Sequence, residues 1–157
     1  MDNSAQIHSS VEEFLTSRNF VYKKDSDNTY SFQLRLHGVL HSCYFYITVR
    51  EDDVSISADL EIEPDSEDKG LMDRVYEFIC RANFGLNIGH FEIDPEYGDI
   101  NARFYINATE TIPTADDIDS CVKALGNLAE IYGRGFASVI LAGADAAEAI
   151  AQCEANM

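Results

Sequence analysis

Hydrophobic residues recur along the chain with two different periods, and the changes of period mark out its elements. Between Ser4 and Ser17, Ile7, Val11, Phe14 and Leu15 fall at helical spacing, the stripe of a short amphipathic helix. Ser4 is the preferred N-cap over a Ser10–Glu13 capping box, because it leaves room for Ile7 in the helix. Lys23 to Asn28 is polar and reads as a turn or loop. Three runs of period two follow. Phe32, Leu34 and Leu36 alternate with Ser31, Gln33 and Arg35. Cys43, Phe45, Ile47 and Val49 alternate with Tyr44, Tyr46 and Thr48. Val54, Ile56, Ala58, Leu60 and Ile62 alternate with Ser55, Ser57, Asp59, Glu61 and Glu63. Alternation of this length predicts strands with one face in a core and one in water, and the short joints around His37-Gly38 and Glu51-Asp52-Asp53 predict antiparallel hairpins.

Pro64 stops the third run, and Asp65 or Ser66 is expected to start a helix lined by Leu71, Val75, Phe78, Ile79 and Ala82. Met72 and Tyr76 widen that stripe, as a helix facing both a sheet and a second subunit requires. The helix should end near Asn83, with Gly85 supplying a left-handed turn. A second hairpin pairs Phe91 and Ile93 with Ile100, Ala102, Phe104 and Ile106 across the turn Asp94 to Asp99. Thr114 with Asp117 caps a long helix carrying Ile118, Val122, Leu125, Ala129, Tyr132, Phe136 and Ile140, which Gly143 ends. Gly133-Arg134-Gly135 within it suggests close helix packing. Asp145 with Glu148 caps a short last helix bearing Ile150 and Cys153. The order helix, three strands, helix, two strands, helix, helix predicts an α+β fold of one domain over residues 1–157. In it an antiparallel five-stranded sheet carries helices on one face.

Composition narrows the choice of partners. The 157 residues carry 11 Lys and Arg against 28 Asp and Glu, a formal charge of −17. With 46% hydrophobic residues the acidity does not signal disorder. Such a surface repels phosphate backbones and anionic lipid, so neither nucleic acid nor membrane is expected as a partner. No apolar stretch approaches the ~20 residues of a membrane helix. Met1-Asp2-Asn3-Ser4 lacks the basic start of a signal peptide, so the expected location is cytoplasmic.

Catalytic chemistry finds little purchase. Cys43, Cys80, Cys121 and Cys153 lack the close spacing of a zinc knuckle or redox dithiol, and read as free thiols. Gly133-x-Gly135 follows no strand and lacks the third glycine of a dinucleotide fingerprint. Asp25-Ser26-Asp27-Asn28 opens like a calcium loop, but Tyr30 and Leu36 stand where that loop needs glycine and glutamate. His37 and His41 flank a hairpin turn. Two histidines without an identified third ligand make a weak metal centre, and a metal-dependent enzyme is the least favoured reading. The expectation is a non-enzyme with no cofactor and no metal.

Two surface features remain. Residues 51–68 hold nine acids and no Lys or Arg, and the alternation sends Asp59, Glu61 and Glu63 to one strand face. That stripe either keeps a sheet edge solvated or docks a basic partner segment. Tyr44, Tyr46 and Tyr105, with Arg103, are aromatic and guanidinium groups on the polar side of strands, a composition that suits an interface.

The run Val75 to Asp94 joins an apolar helix ending in Asn83, a short apolar loop Phe84 to Ile88, Gly89, and a strand with Phe91 and the acids Glu92 and Asp94. It resembles the centre of the YbjN family of bacterial sensory-transduction regulators. Ser138 to Ile150, a helix, Gly143 and an Asp145-capped Glu148-Ala149-Ile150 helix, resembles that family's ending. The similarity spans about residues 67–153; before that only the order of elements agrees. Membership implies the type III secretion chaperone-like fold, α-β-β-β-α-β-β-α. Chaperones of that fold are small acidic cytosolic homodimers without catalytic residues that bind extended segments of partner proteins. The reading is therefore a chaperone-like or regulatory protein-binding homodimer. Its partner surface is expected at Asp59, Glu61, Glu63, Tyr44, Tyr46, Tyr105 and Arg103, and its dimer surface at Leu71, Met72, Val75, Tyr76 and Ile79. The alternative is an acidic inhibitor or mimic that occupies a basic site on a partner.

Overall fold

The computed structural model describes residues 1–155 and 157. The chain runs through α1 (Ser4–Ser17), β1 (Tyr22–Lys24), β2 (Thr29–Arg35), β3 (Ser42–Val49), β4 (Asp53–Asp59), α2 (Lys69–Asn83), β5 (His90–Ile93), β6 (Ile100–Asn107), α3 (Ala115–Ala142) and α4 (Ala146–Glu154). The strands form one sheet in the order β1-β2-β3-β4-β6-β5, every neighbouring pair antiparallel. The α+β architecture is the expected one, but the sheet has six strands, not five.

The additional strand is β1, in part of the stretch read as a loop. Only three residues long and carrying Lys23 and Lys24, it is too short to show a period, and its charges suit an unpaired sheet edge. The turn after it is closed by Asp25, whose carboxylate accepts the N–H groups of Asp27 (2.9 Å) and Thr29 (3.0 Å). The acid that imitated a calcium ligand thus caps backbone.

β4 ends three residues earlier than its alternation predicts. Asp59 Oδ1 accepts the Glu61 N–H at 2.8 Å, and Glu61 takes a left-handed backbone with φ 56°. A side chain that bonds its own backbone two residues on competes with the strand ladder and turns the chain. Glu61 and Glu63 therefore leave the strand face that holds Asp59. Similarly, α2 begins at Lys69 rather than Asp65 or Ser66, because Asp68 is the side chain that reaches a helix N–H, that of Leu71 at 3.0 Å.

The helices cover one face of the sheet. Phe45 and Ile47 of β3, Ile56 and Ala58 of β4, and Ala102 of β6 point under them and are fully buried. Ile7, Val11, Phe14 and Leu15 of α1 close the core from above, as do Ile118, Val122, Leu125, Tyr132 and Phe136 of α3. The Thr114–Asp117 capping box and the left-handed Gly143 bound α3 where the sequence puts them. Asp145 caps α4 by accepting the Glu148 N–H. α1 starts at Ser4, but its N-cap is Asn3, whose side chain donates to Ala108 O at 2.9 Å instead of capping the helix. The close helix packing expected at Gly133 and Gly135 holds at Gly135, whereas Gly133 makes room for Leu40 of the β2–β3 connection, 2.8 Å from where its β-carbon would stand. A β-carbon on Gly135 would lie 2.5 Å from Phe78 Cζ and 2.6 Å from Cys153 Sγ, where α3 passes α2 and α4.

An ion cluster of exposed cations around the buried Asp119 carboxylate ties α1 to α3. Arg18 Nη2 lies 2.9 Å and Lys123 Nζ 2.8 Å from Asp119 Oδ2. Burial alone would raise the Asp119 pKa, but the hydrogen bonds from Lys123 and Arg18 outweigh it and hold the carboxyl below its ordinary 3.8. The unfolded chain then binds this proton more readily than the folded one. The cluster's contribution is complete above pH 3.8 and is lost as the pH falls below it. Thermal melts on either side of that pH should show the wild type losing stability more steeply than Asp119→Asn; equal slopes would contradict the assignment.

Candidate functional site

The face of the sheet away from the helices carries no element over it among the described residues. Its residues are fixed by register. One row across five strands reads Ser31, Tyr46, Ser57, Arg103 and His90. The next reads Gln33, Tyr44, Asp59, Asn101 and Glu92. Thr48, Ser55 and Tyr105 form a third. Five of the seven residues expected to meet a partner, namely Tyr44, Tyr46, Asp59, Arg103 and Tyr105, therefore share this one face.

Tyr46 and Tyr105 stand 39% and 56% exposed, large aromatic surfaces left in water on a sheet whose other face is closed. The rings of Tyr44 and Tyr46 lie 5.4 Å apart at 44°, a tilted pair that forms one apolar plate. Burial against its neighbours, together with the charge of Asp59, raises the Tyr46 phenol above its usual pKa, so it remains a hydrogen-bond donor at neutral pH. Arg103 reaches Glu92 through Nη1 at 3.2 Å, while its Nε is shielded from water without a hydrogen-bond partner.

The remaining two acids sit at the rim. Glu61 Oε2 accepts from Ser42 Oγ at 3.0 Å, which in turn accepts from Gln33 Nε2 at 3.1 Å. Glu63 lies against Asp99, and a hydrogen bond between the two carboxyls, reinforced by charge, raises its pKa. The acidic stretch is thus divided between the sheet face and two loop positions.

The α2 residues behave differently. Leu71, Met72, Val75 and Ile79 are buried within the chain, and only Tyr76 of that group is exposed, at 39%. Cys80 and the Glu77–Arg81 ion pair accompany Tyr76 on the outer side. The breadth of the stripe has a cause inside the chain: α2 packs on α3, α4 and β5.

His37 and His41 do not converge on a metal centre. The His37 backbone N–H donates to Glu130 Oε1, His41 adopts φ 60° in the turn, and no metal-holding group of three such side chains occurs among the described residues. All four cysteines are free; Cys43 and Cys153 are buried, Cys121 half-buried and Cys80 exposed. Burial pushes the Cys43 and Cys121 thiols up to about 12 and about 11 respectively, far from nucleophilic range.

One residue escaped functional reading. The Asn83 amide lies along the outer edge of β5, donating to Phe91 O at 3.0 Å and accepting the Phe91 N–H at 2.7 Å. It occupies both backbone groups that another strand would use there. Its signal in the sequence is only an asparagine at a helix end, where capping is the ordinary expectation.

No family model matches the chain, and no curated protein matches it. Among solved structures it is similar to a chain of the ExsC–ExsE complex, with TM-score 0.53 and 16% identity over 85% of this chain and 96% of that one. A chain of the HopA1–SchA chaperone–effector complex gives TM-score 0.48 and 12% identity, over 83% and 98% respectively. At such identities the first likeness shows a shared fold and nothing finer. The resemblance to the YbjN family is therefore not established by a family match.

Proposed function

We propose that this chain is a non-enzymatic protein-binding module, chaperone-like or regulatory, that holds an extended segment of a partner protein on the open face of its sheet. One observation carries the reading. The face left uncovered by the helices presents Tyr44, Tyr46 and Tyr105 beside Arg103, the residue types that anchor protein interfaces. The neighbour in the ExsC–ExsE complex supports it by fold, being itself part of a protein complex. Of the kind the YbjN resemblance implies, the module works in the cytoplasm as a homodimer, with the outer side of α2 around Tyr76 as the surface offered to a second copy.

The test is capture of partners from the source organism by the full chain, compared with the triple variant Tyr44→Ala, Tyr46→Ala, Arg103→Ala. These side chains lie outside the core, so the variant should melt near the wild type. Two aromatic anchors of about 2 kcal/mol each predict at least a thirtyfold loss of the captured species. Equal capture by the variant overturns the reading. Capture that survives from 50 to 300 mM salt supports apolar anchoring, whereas collapse over that range transfers the case to the acidic mimic.

A further inference from the structure

β6 is longer than the strand beside it. β5 pairs with Ile100 to Arg103 and stops, while β6 continues to Asn107. The direction of the overhanging backbone groups follows from the ladder with β4. Leu60 N–H donates to Ile100 O and Ala108 N–H to Asp52 O, which turns the even-numbered residues of β6 toward β4. The N–H and C=O of Tyr105 and Asn107 point the other way, where no strand lies among the described residues. On β5 the equivalent groups of Phe91 are closed by Asn83, so the sheet end on this side is blocked at Phe91 and open along the β6 overhang.

Beside the open length lies a groove of about 330 Å³. Phe104 and Ile106 form its sheet wall, Pro113 and Cys121 its far wall, and Asp117 and Ser120 its rim. Phe104 and Ile106 belong to the core-facing side of β6, yet both remain partly exposed because β5 ends before it can help cover them. Unpaired strand groups together with an apolar slot at the depth of alternate side chains are the two requirements of strand addition.

We propose that the Tyr105–Asn107 overhang of β6 is a strand-addition site for an extended partner segment that runs antiparallel to β6 in line with β5. The inference rests on the protein-binding reading above and specifies its partner. The segment alternates apolar residues, which enter the groove, with residues lying on the outer face beside Tyr105. Asp117 stands at the groove's rim, and with a chain charge of −17 it selects a segment with basic flanks over an acidic one.

The experiment selects a phage-displayed library of random twelve-residue peptides on the full chain. Enriched peptides should alternate apolar residues between basic ones. Tyr105→Pro removes the outward N–H and leaves the hydrogen bonds to β4 in place, so it should weaken the best peptide at least tenfold. Lys24→Pro, which removes an outward N–H from β1, the strand at the far edge of the sheet, should leave it unchanged. Independently of any variant's folding, saturating peptide should slow amide exchange at Tyr105 and Asn107 at least tenfold. No enrichment, enrichment of acidic peptides, or amides unaffected by the peptide each overturn the site. So does protection of the same amides by self-association of the peptide-free chain. Peptides lost in Lys24→Pro or in the Tyr44, Tyr46, Arg103 triple variant but indifferent to Tyr105→Pro reject this site while leaving the protein-binding reading standing.

Discussion

Replacing Phe136 by alanine should remove about 3–5 kcal/mol of stability, a large share of what a domain of this size possesses. The side chain is fully buried, and its ring lies 4.5 Å from that of Phe78 and 5.2 Å from that of Phe91. It therefore joins α3 to α2 and to β5 at one point. Truncation leaves a cavity that three elements would have to move together to fill, and Gly135 beside it already brings α3 as close to Phe78 as the backbone allows. At roughly 2–4 °C per kcal/mol, the melting temperature should drop by about 10–15 °C. A drop under 3 °C would show that the helices repack freely.

The second large effect is at Asn83. Alanine there removes two hydrogen bonds and leaves the N–H and C=O of Phe91 without partners in a half-buried place, at about 1–3 kcal/mol for each group that water cannot reach. The sum, about 2–6 kcal/mol, should appear in a chemical denaturation curve. A second consequence separates this site from an ordinary buried polar residue. The freed groups belong to an edge strand, so Asn83→Ala should form assemblies larger than those of the wild type, and light scattering across a dilution series reads that directly. Loss of stability without association would make the amide a packing element and not an edge block.

The parts of the fold legible in the sequence are those in which local and long-range preferences agree. Cys43, Phe45, Ile47 and Val49 alternate because one side of β3 meets the helices, and nothing nearby competes. Thr114 with Asp117, and Gly143, mark the ends of α3 because capping is a contact between near neighbours. Where a short-range contact opposes the periodic pattern, the pattern misleads. Leu60 and Ile62 continue an alternation that the Asp59 carboxylate has already ended. β1 has no pattern to read, since it is held by pairing with β2 and not by its own residues. The stripe on α2 is wide for two reasons that the sequence does not separate: Met72 is buried within the chain, whereas Tyr76 stays exposed on the outer side. Of the candidate surface, the alternation assigned Tyr44, Tyr46, Asp59, Arg103 and Tyr105 to a polar side. That they share one uncovered face depends on register across β3, β4 and β6, which no single strand encodes. The Asn83 clamp and the β6 overhang depend on where β5 stops, a property of a loop.

The attachment of α1 bears on how the chain comes into being. Asn3 is held by Ala108, and Arg18 by Asp119, partners 105 and 101 residues later in the sequence. On a ribosome adding about 5–20 residues per second, α1 is made roughly 5–20 s before either partner exists. Throughout that interval Ile7, Val11, Phe14 and Leu15 have no core to enter. The chain thus begins its own life with an apolar helix in need of shelter.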